Sequence, residues 1–282
     1  MSQRWFGQAA LSVLLVLCVV AVAGCSRAKV DLSGPGRIAV TTSWLGCALR
    51  DVTGGAFDVI RMSPPGSCPG HFDMKPSQLA AIRGCDLLMR FDFQKGLDAG
   101  LARMREEDLR IVSVAAGDGL CVPETYLDSC RQVARAVSER YPNLKDTCDA
   151  ELRRTEARLG SLAGEVHRRM KEADLVGKKV LSSAHQAVFA RWLGLDVVGT
   201  FKGSDSETVR ALAGVIERGD RAGVKFVIAN LQEGDKQAKA LSRRLDARVV
   251  VFSNFPDMSE REQTFDDLVR ANLDRLLEAA AQ

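Results

Sequence analysis

Short apolar runs alternate with amphipathic stretches along most of the chain, and the alternation restarts once. In the first half, Arg37-Ile38-Ala39-Val40-Thr41, Phe57 to Met62, Asp86 to Phe91 and Arg110 to Val114 read as buried strands. Between and after them, Trp44 to Val52, Pro76 to Ile82 and Tyr126 to Tyr141 have helical spacing and end at Gly54-Gly55, Gly84 and Pro142-Asn143. In the second half, Lys179 to Ser183, Val197 to Thr200, Val224 to Ala229 and Arg248 to Phe252 read as strands. Their partners are helices at Gln186 to Leu193, Glu207 to Arg218, Lys236 to Leu245 and Thr264 to Ala280. Strands separated by helices at this spacing predict α/β architecture with mainly parallel sheets.

Between the halves, Asp146 to Ala173 runs without proline and carries Leu152, Ala157, Leu159, Leu162, Val166 and Met170 among many charges. At 1.5 Å per residue such a helix is about 42 Å long, more than a small lobe needs. It reads as a strut between two lobes, its charged face in water. The organisation expected is an N-terminal lobe over 37–143, a linking helix over 144–173 and a C-terminal lobe over 174–282. In α/β sheets, ligands sit where loops leave the carboxyl ends of strands, so the natural ligand position is the cleft between the lobes.

The first residues follow a different pattern. Arg4 precedes an apolar run from Ala9 to Ala23, broken only by Ser12. That is short of the roughly 20 residues a spanning helix needs, and it describes a secretory signal. The run closes on Val22-Ala23-Gly24-Cys25, which looks like a bacterial lipobox. Residues 1–24 then form a signal peptide, Cys25 is the lipid attachment point and 25–36 is a tether. An ordinary signal peptide or a short anchor is the plainer alternative. Either leader takes the chain out of the cytoplasm, and the lipidated reading holds it on the outer face of a membrane.

Composition narrows the function. With 39 Lys+Arg against 36 Asp+Glu, the net charge of +3 gives no case for a nucleic-acid partner. No GxSxG elbow, P-loop or HExxH pair is present, so nothing proposes an enzyme. All eight cysteines lie in the first 148 residues. Setting aside Cys18 and Cys25 leaves Cys47, Cys68, Cys85, Cys121, Cys130 and Cys148, an even set that suits disulfides in an oxidising compartment. Cys47 and Cys85, in apolar contexts, read equally well as buried thiols.

Only three histidines occur, His71, His167 and His185. His71, Glu124, His185 and Asp257 fall on loops at the strand-exit side, two from each half. Imidazole with carboxylate suits Zn²⁺ or Mn²⁺. Plainer roles stand beside these: a hydrogen-bonded histidine, an acid at a helix N-terminus for Glu124, and a helix cap for Asp257. His167, in the middle of the strut, reads as structural or solvated.

The order of these segments resembles the cluster A-I solute-binding proteins of ABC transporters, the zinc/manganese-type periplasmic lipoproteins. The resemblance covers nearly the whole mature chain. It is carried by IAVTTSWL, VIRMSPPG, KPSQLAAIRGCDLLMRF, VLSSAHQAVFARWLGL, the segment FKGSDSETVRALAGVIERGDRAGVKFVIANLQ, and the closing FDDLVRANLDRLLEA. It implies two α/β lobes bridged by a long helix, a metal held between them, and delivery by a monomer to a membrane permease. His185 matches the family's third histidine. In PGSCPGH, Cys68 stands where the family has Asp and Gly70 where it has His, with His71 one residue on. Glu124 stands at the second histidine's place. The family's final acid falls at Ser253 or Asn254, leaving Asp257 as the nearby candidate, and Asn230 replaces another acid. The resemblance thus implies an altered set of metal ligands, His71, Glu124, His185 and Asp257. Cys68 and Cys121 would form a disulfide between the first-lobe loops, or Cys68 would serve as a thiolate ligand. A family member that holds a non-metal ligand, and an adhesive lipoprotein, are the other readings.

Overall fold

The computed structural model describes residues 36–63, 75–102, 109–203, 209–257 and 263–282. The expected signal peptide, Cys25 and the expected tether to residue 35, together with Cys68 and His71, lie outside these residues. Two four-stranded sheets, each wholly parallel, carry the fold. The first is built from β1 (Arg37–Val40), β2 (Asp58–Arg61), β3 (Cys85–Phe91) and β4 (Arg110–Val114), in the order β2-β1-β3-β4. The second contains β5 (Lys179–Ser183), β6 (Asp196–Phe201), β7 (Phe226–Asn230) and β8 (Arg248–Phe252), in the order β6-β5-β7-β8. Central strands read as unbroken apolar runs because helices cover both faces. Thus β7 is buried throughout, whereas the edge strands β2 and β6 are partly exposed.

The helices are α1 (Ser43–Thr53), α2 (Pro76–Ala81), α3 (Pro123–Arg140), α4 (Lys145–Glu172), α5 (Ala187–Trp192), α6 (Val209–Ala222), α7 (Lys236–Leu245) and α8 (Phe265–Ala281). Thr42 caps α1 by accepting the Leu45 N–H at 3.2 Å, and Gly54 ends it in the left-handed conformation that glycine adopts freely. The 28-residue α4 buries one stripe, Cys148, Thr155, Leu159, Leu162, Val166 and Met170, in steps of three, four or seven residues. No helix among the described residues is long and apolar enough to cross a membrane.

Two features were not visible in the sequence pattern. Asp92–Ala99 forms 3₁₀ turns that neutralise a buried charge. Arg90, 5% exposed, donates from Nε and Nη2 to Asp98 at 2.6 and 2.8 Å, and from Nη1 to the Phe91 carbonyl and Ser113 Oγ. The second feature is that one apolar core passes through both lobes, containing Trp44 and Phe91 from the first and Phe189, Ile228 and Phe252 from the second. The C-terminal helix α8 crosses back to make this join. Phe265 stacks on Tyr126 with centroids 3.9 Å apart, and Arg270 donates to Glu165 of α4.

A charged cluster sits beside that join. Arg158 of α4 pairs with Asp51 at 2.5 Å and with Asp266, and the Tyr126 hydroxyl donates to Asp51 at 2.7 Å. Burial holds the Asp266 carboxyl above its ordinary range and outweighs the guanidinium facing it. An Arg158→Met variant leaves the two acids together without their cation. It is expected to lose about 2–3 kcal/mol at neutral pH, the pair being only partly buried. Its Asp266 pKa is raised further, and a raised carboxylate contributes stability below its unfolded pKa that is lost as pH rises through the folded value. The deficit against wild type is therefore largest at neutral pH and shrinks on acidification. Urea unfolding at pH 7 and pH 4.5 measures both.

Candidate functional site

β5 ends in Ser182-Ser183, both hydroxyls buried, and the chain turns at once into the 3₁₀ segment Ala184–Gln186. Ser183 Oγ accepts the His185 N–H at 3.3 Å, so the turn and its imidazole are set by the last residue of the strand. The imidazole is 64% exposed at this strand exit. Beyond β7, Leu231–Glu233 makes a second 3₁₀ turn, closed by Gly234 at φ +78°, a conformation that favours glycine. This turn carries Glu233 back toward β5. Its Oε2 accepts the Ser183 hydroxyl at 2.6 Å and its Oε1 accepts the Gly203 N–H at 3.3 Å. Ser183 thus ties the His185 backbone and the Glu233 carboxylate together, and His185 Nε2 lies 3.6 Å from Glu233 Oε1.

Beneath the pair lies a neutral, buried layer. Gln186 Nε2 donates to Asn230 Oδ1 at 3.1 Å and to Asn254 Oδ1 at 3.0 Å. Asn272 Nδ2 donates to the Ser253 carbonyl at 2.8 Å while its Oδ1 accepts the Ser253 N–H at 2.9 Å. Gln232 holds the Asn254 N–H and the Ser253 hydroxyl. The Asn230, Ser253 and Asn254 positions are therefore occupied by uncharged groups spent on structural bonds. Gln186 Oε1 is the exception, a buried oxygen without a partner next to His185.

The first lobe reaches this layer through its loop before α3. Gly119, at φ +78°, approaches so closely that a Cβ there would sit 2.8 Å from Val188 of α5. Cys121 Sγ donates to the Ser253 carbonyl at 3.0 Å. Glu124, exposed in the first turn of α3, is three residues past that contact.

The expected residues therefore separate. His185 stands at the exit of β5 and Glu124 in the first turn of α3, with no bond between them, and His71 lies outside the described residues. Asp257, exposed, follows β8. Its N–H and carbonyl bond Gln263 at 2.9 and 3.2 Å, and it borders a cavity of about 260 Å³ with Leu231, Gln232, Phe255 and Arg275. No cluster of three metal-ligating side chains occurs among the described residues. Glu233 is the residue that sequence reasoning missed. Its only signal was an acid just before a glycine on the loop after a central strand.

The cysteine expectation is corrected. Cys85, Cys121, Cys130 and Cys148 are buried free thiols, and Cys47 donates to the Gln263 carbonyl. Cys121 is fully buried and committed to the second lobe, so the expected link from Cys68 to Cys121 is not made, and Cys68 lies outside the described residues. Burial pushes the Cys121 and Cys130 thiols far up, as apolar surroundings do to any group that must ionise. They act as small core side chains with a weak donor.

Solved structures share this fold. A zinc-bound crystal structure of a ZnuA deletion mutant superposes with a TM-score of 0.70 at 17% identity, covering 86% of this chain and 97% of that one. The Mn-bound periplasmic metal binding protein from Candidatus Liberibacter asiaticus gives 0.70 at 13% identity, covering 86% and 99%. FpvC from Pseudomonas aeruginosa, solved in complex with Mn²⁺, gives 0.70 at 14% identity, covering 87% and 98%. No curated protein matches the chain significantly. The model of the zinc-uptake complex component A family, periplasmic, matches residues 120–279, more than half of the chain. By that match the chain belongs to the ZnuA family of periplasmic zinc-uptake components.

Proposed function

We propose that this protein captures a divalent transition metal, zinc first and manganese second, between its two lobes and delivers it to an ABC permease. It works as a monomer outside the cytoplasmic membrane, held there by a lipid on Cys25. Family membership supports the coarser part of this reading, an extracytoplasmic binding protein for transported metal and not an enzyme. The single observation that carries it to this chain is His185, presented at the exit of β5 with the Glu233 carboxylate 3.6 Å away. His71 and Glu124 are the first-lobe partners the sequence offers. Asp257 is the acid it offers on the last loop, and Glu233 is the acid set against His185. Imidazole nitrogen with carboxylate oxygen fits zinc and manganese better than soft ions.

Capture here needs little closure. The core crosses between the lobes, and hydrogen bonds from Ser43 to the Pro256 carbonyl and from Cys121 to Ser253 pin the same junction. The second-lobe pair of His185 and Glu233 therefore stands in place before the ion arrives, which limits the ordering cost of binding on that side.

The test is metal uptake by protein purified without a histidine tag and stripped with chelator. Elemental analysis after reconstitution is expected to find one zinc or manganese per chain, with a matching calorimetric stoichiometry. Uptake of neither ion overturns the reading. It would favour instead a relative that keeps the fold for a non-metal ligand, which the neutral Asn230, Gln186 and Asn254 layer suits.

A further inference from the structure

We propose that Glu233, not Asp257, is the second-lobe carboxylate that holds the metal together with His185. This rests on the reading that the cleft takes a divalent ion. Three independent features of the second sheet lead to it.

The first is topology. In the order β6-β5-β7-β8 the chain leaves β5 toward one side and β7 toward the other, so the crevice opens between their exits. His185 follows β5 and Glu233 follows β7, one from each strand that borders the crevice. Asp257 follows β8, the far edge strand.

The second is geometry. The 3.6 Å between Nε2 and Oε1 is too long for a hydrogen bond. Two donors about 2.05 Å from one tetrahedral zinc stand about 3.3 Å apart, so this spacing is close to that of two ligands of a common ion. The carboxylate is also held for the task. Ser183 and Gly203 each donate one hydrogen bond to it, one to each oxygen. An ionised carboxylate has about four acceptor sites, so each oxygen keeps one for a cation. Ser183 also bonds the His185 backbone, which fixes the two side chains relative to each other. Such outer bonds orient ligands in known metal sites.

The third is charge. The strand-end positions on β7 and β8 are neutral, with Asn230 and Asn254 bonded by one Gln186 amide. The thiol of Cys121 is spent on the Ser253 carbonyl. Among the described residues, Glu233 is the carboxylate set against His185, and it supplies oxygen where a divalent ion needs it.

The experiment titrates zinc and manganese separately into metal-stripped wild type, Glu233→Gln, Glu233→His and Asp257→Asn, with circular dichroism melting curves for each. Glu233→Gln keeps one oxygen for the Gly203 N–H, and its amide NH2 can donate to the rotatable Ser183 hydroxyl, so its melting curve should stay close to wild type. Its zinc affinity is expected to fall about 100-fold or more, beyond the usual cost of an outer-shell change, while Asp257→Asn stays within about threefold. Glu233→His should retain zinc and add an imidazole signature to zinc-edge X-ray absorption, which a merely structural role would not produce. Wild-type affinity in Glu233→Gln overturns the assignment. So does loss of binding in Asp257→Asn, which would return the acid to the last loop. A wild type that binds neither ion overturns the capture reading itself, and the assignment with it.

Discussion

A His185→Ala chain is expected to lose divalent metal binding almost entirely, with zinc affinity down by more than about 100-fold. The imidazole is mostly exposed, so truncating it removes a donor and little packing. Its backbone N–H still bonds Ser183 Oγ, which keeps the turn and Glu233 in place. Stability should therefore change by less than about 0.5 kcal/mol, as for other exposed substitutions. The matched control is His167→Ala. His167 lies on α4, where its Nε2 contacts the Trp192 carbonyl at 2.9 Å and its ring packs on Trp192 with centroids 4.6 Å apart. That variant should bind metal like wild type while losing about 0.5–1 kcal/mol of stability. Calorimetry and urea unfolding on both variants separate ligand from strut. Equal metal affinity in His185→Ala and wild type would remove His185 from the site.

The largest stability effect is expected at Trp44. Its ring is fully buried and meets Phe91, Tyr126 and Phe265 with centroids 5.3, 4.9 and 6.4 Å apart. Its Nε1 donates to the Leu120 carbonyl at 2.8 Å, on the loop that leads to Cys121 and Glu124. Trp44→Ala leaves a cavity at the point where α1, α3 and α8 converge and should cost about 3–5 kcal/mol. Trp44→Phe fills much of that space but leaves the carbonyl without its donor, for a loss of about 1–3 kcal/mol. Urea midpoints followed by circular dichroism give both values. A loss below 1 kcal/mol in Trp44→Ala would mean that the two lobes do not share a load at this residue. Because α8 supplies Phe265, the same substitution should loosen the second lobe as well, seen as faster amide exchange along β8.

Much of the fold was legible because parallel sheets covered on both faces leave a strong local signature. Arg110–Val114, Lys179–Ser183, Lys236–Leu245 and Arg248–Phe252 lie where the apolar pattern puts them, and α4 differs by a residue at each end. The 3₁₀ turns at Asp92–Ala99 escaped because what orders them is distant. Gln94 accepts from Thr41 of another segment at 2.6 Å, and Asp98 answers the charge of Arg90. The cysteines misled for a similar reason. Their number and the oxidising compartment suggested cross-links, but a thiol's environment decides its chemistry, and Cys121 is enclosed with a carbonyl from the other lobe.

His185 could be found from the chain alone because strand, short turn and histidine are consecutive. So could the likeness of whole segments to metal-binding relatives, since that likeness resides in order and spacing. Which acid stands beside His185 was beyond the reach of order and spacing. Glu233 is 48 positions away in the chain, and it arrives only because β5 and β7 are neighbours in the sheet. Asp257 is as plausible by spacing, yet β8 is the edge strand and its loop turns toward Gln263. Periodicity records what a residue buries against its own element, and so the sequence determined the elements, the two-lobed plan and the histidine. Strand order and side-chain bonding are long-range facts, so only the tertiary structure could decide the shared core, the neutral amide layer and the carboxylate that faces the histidine.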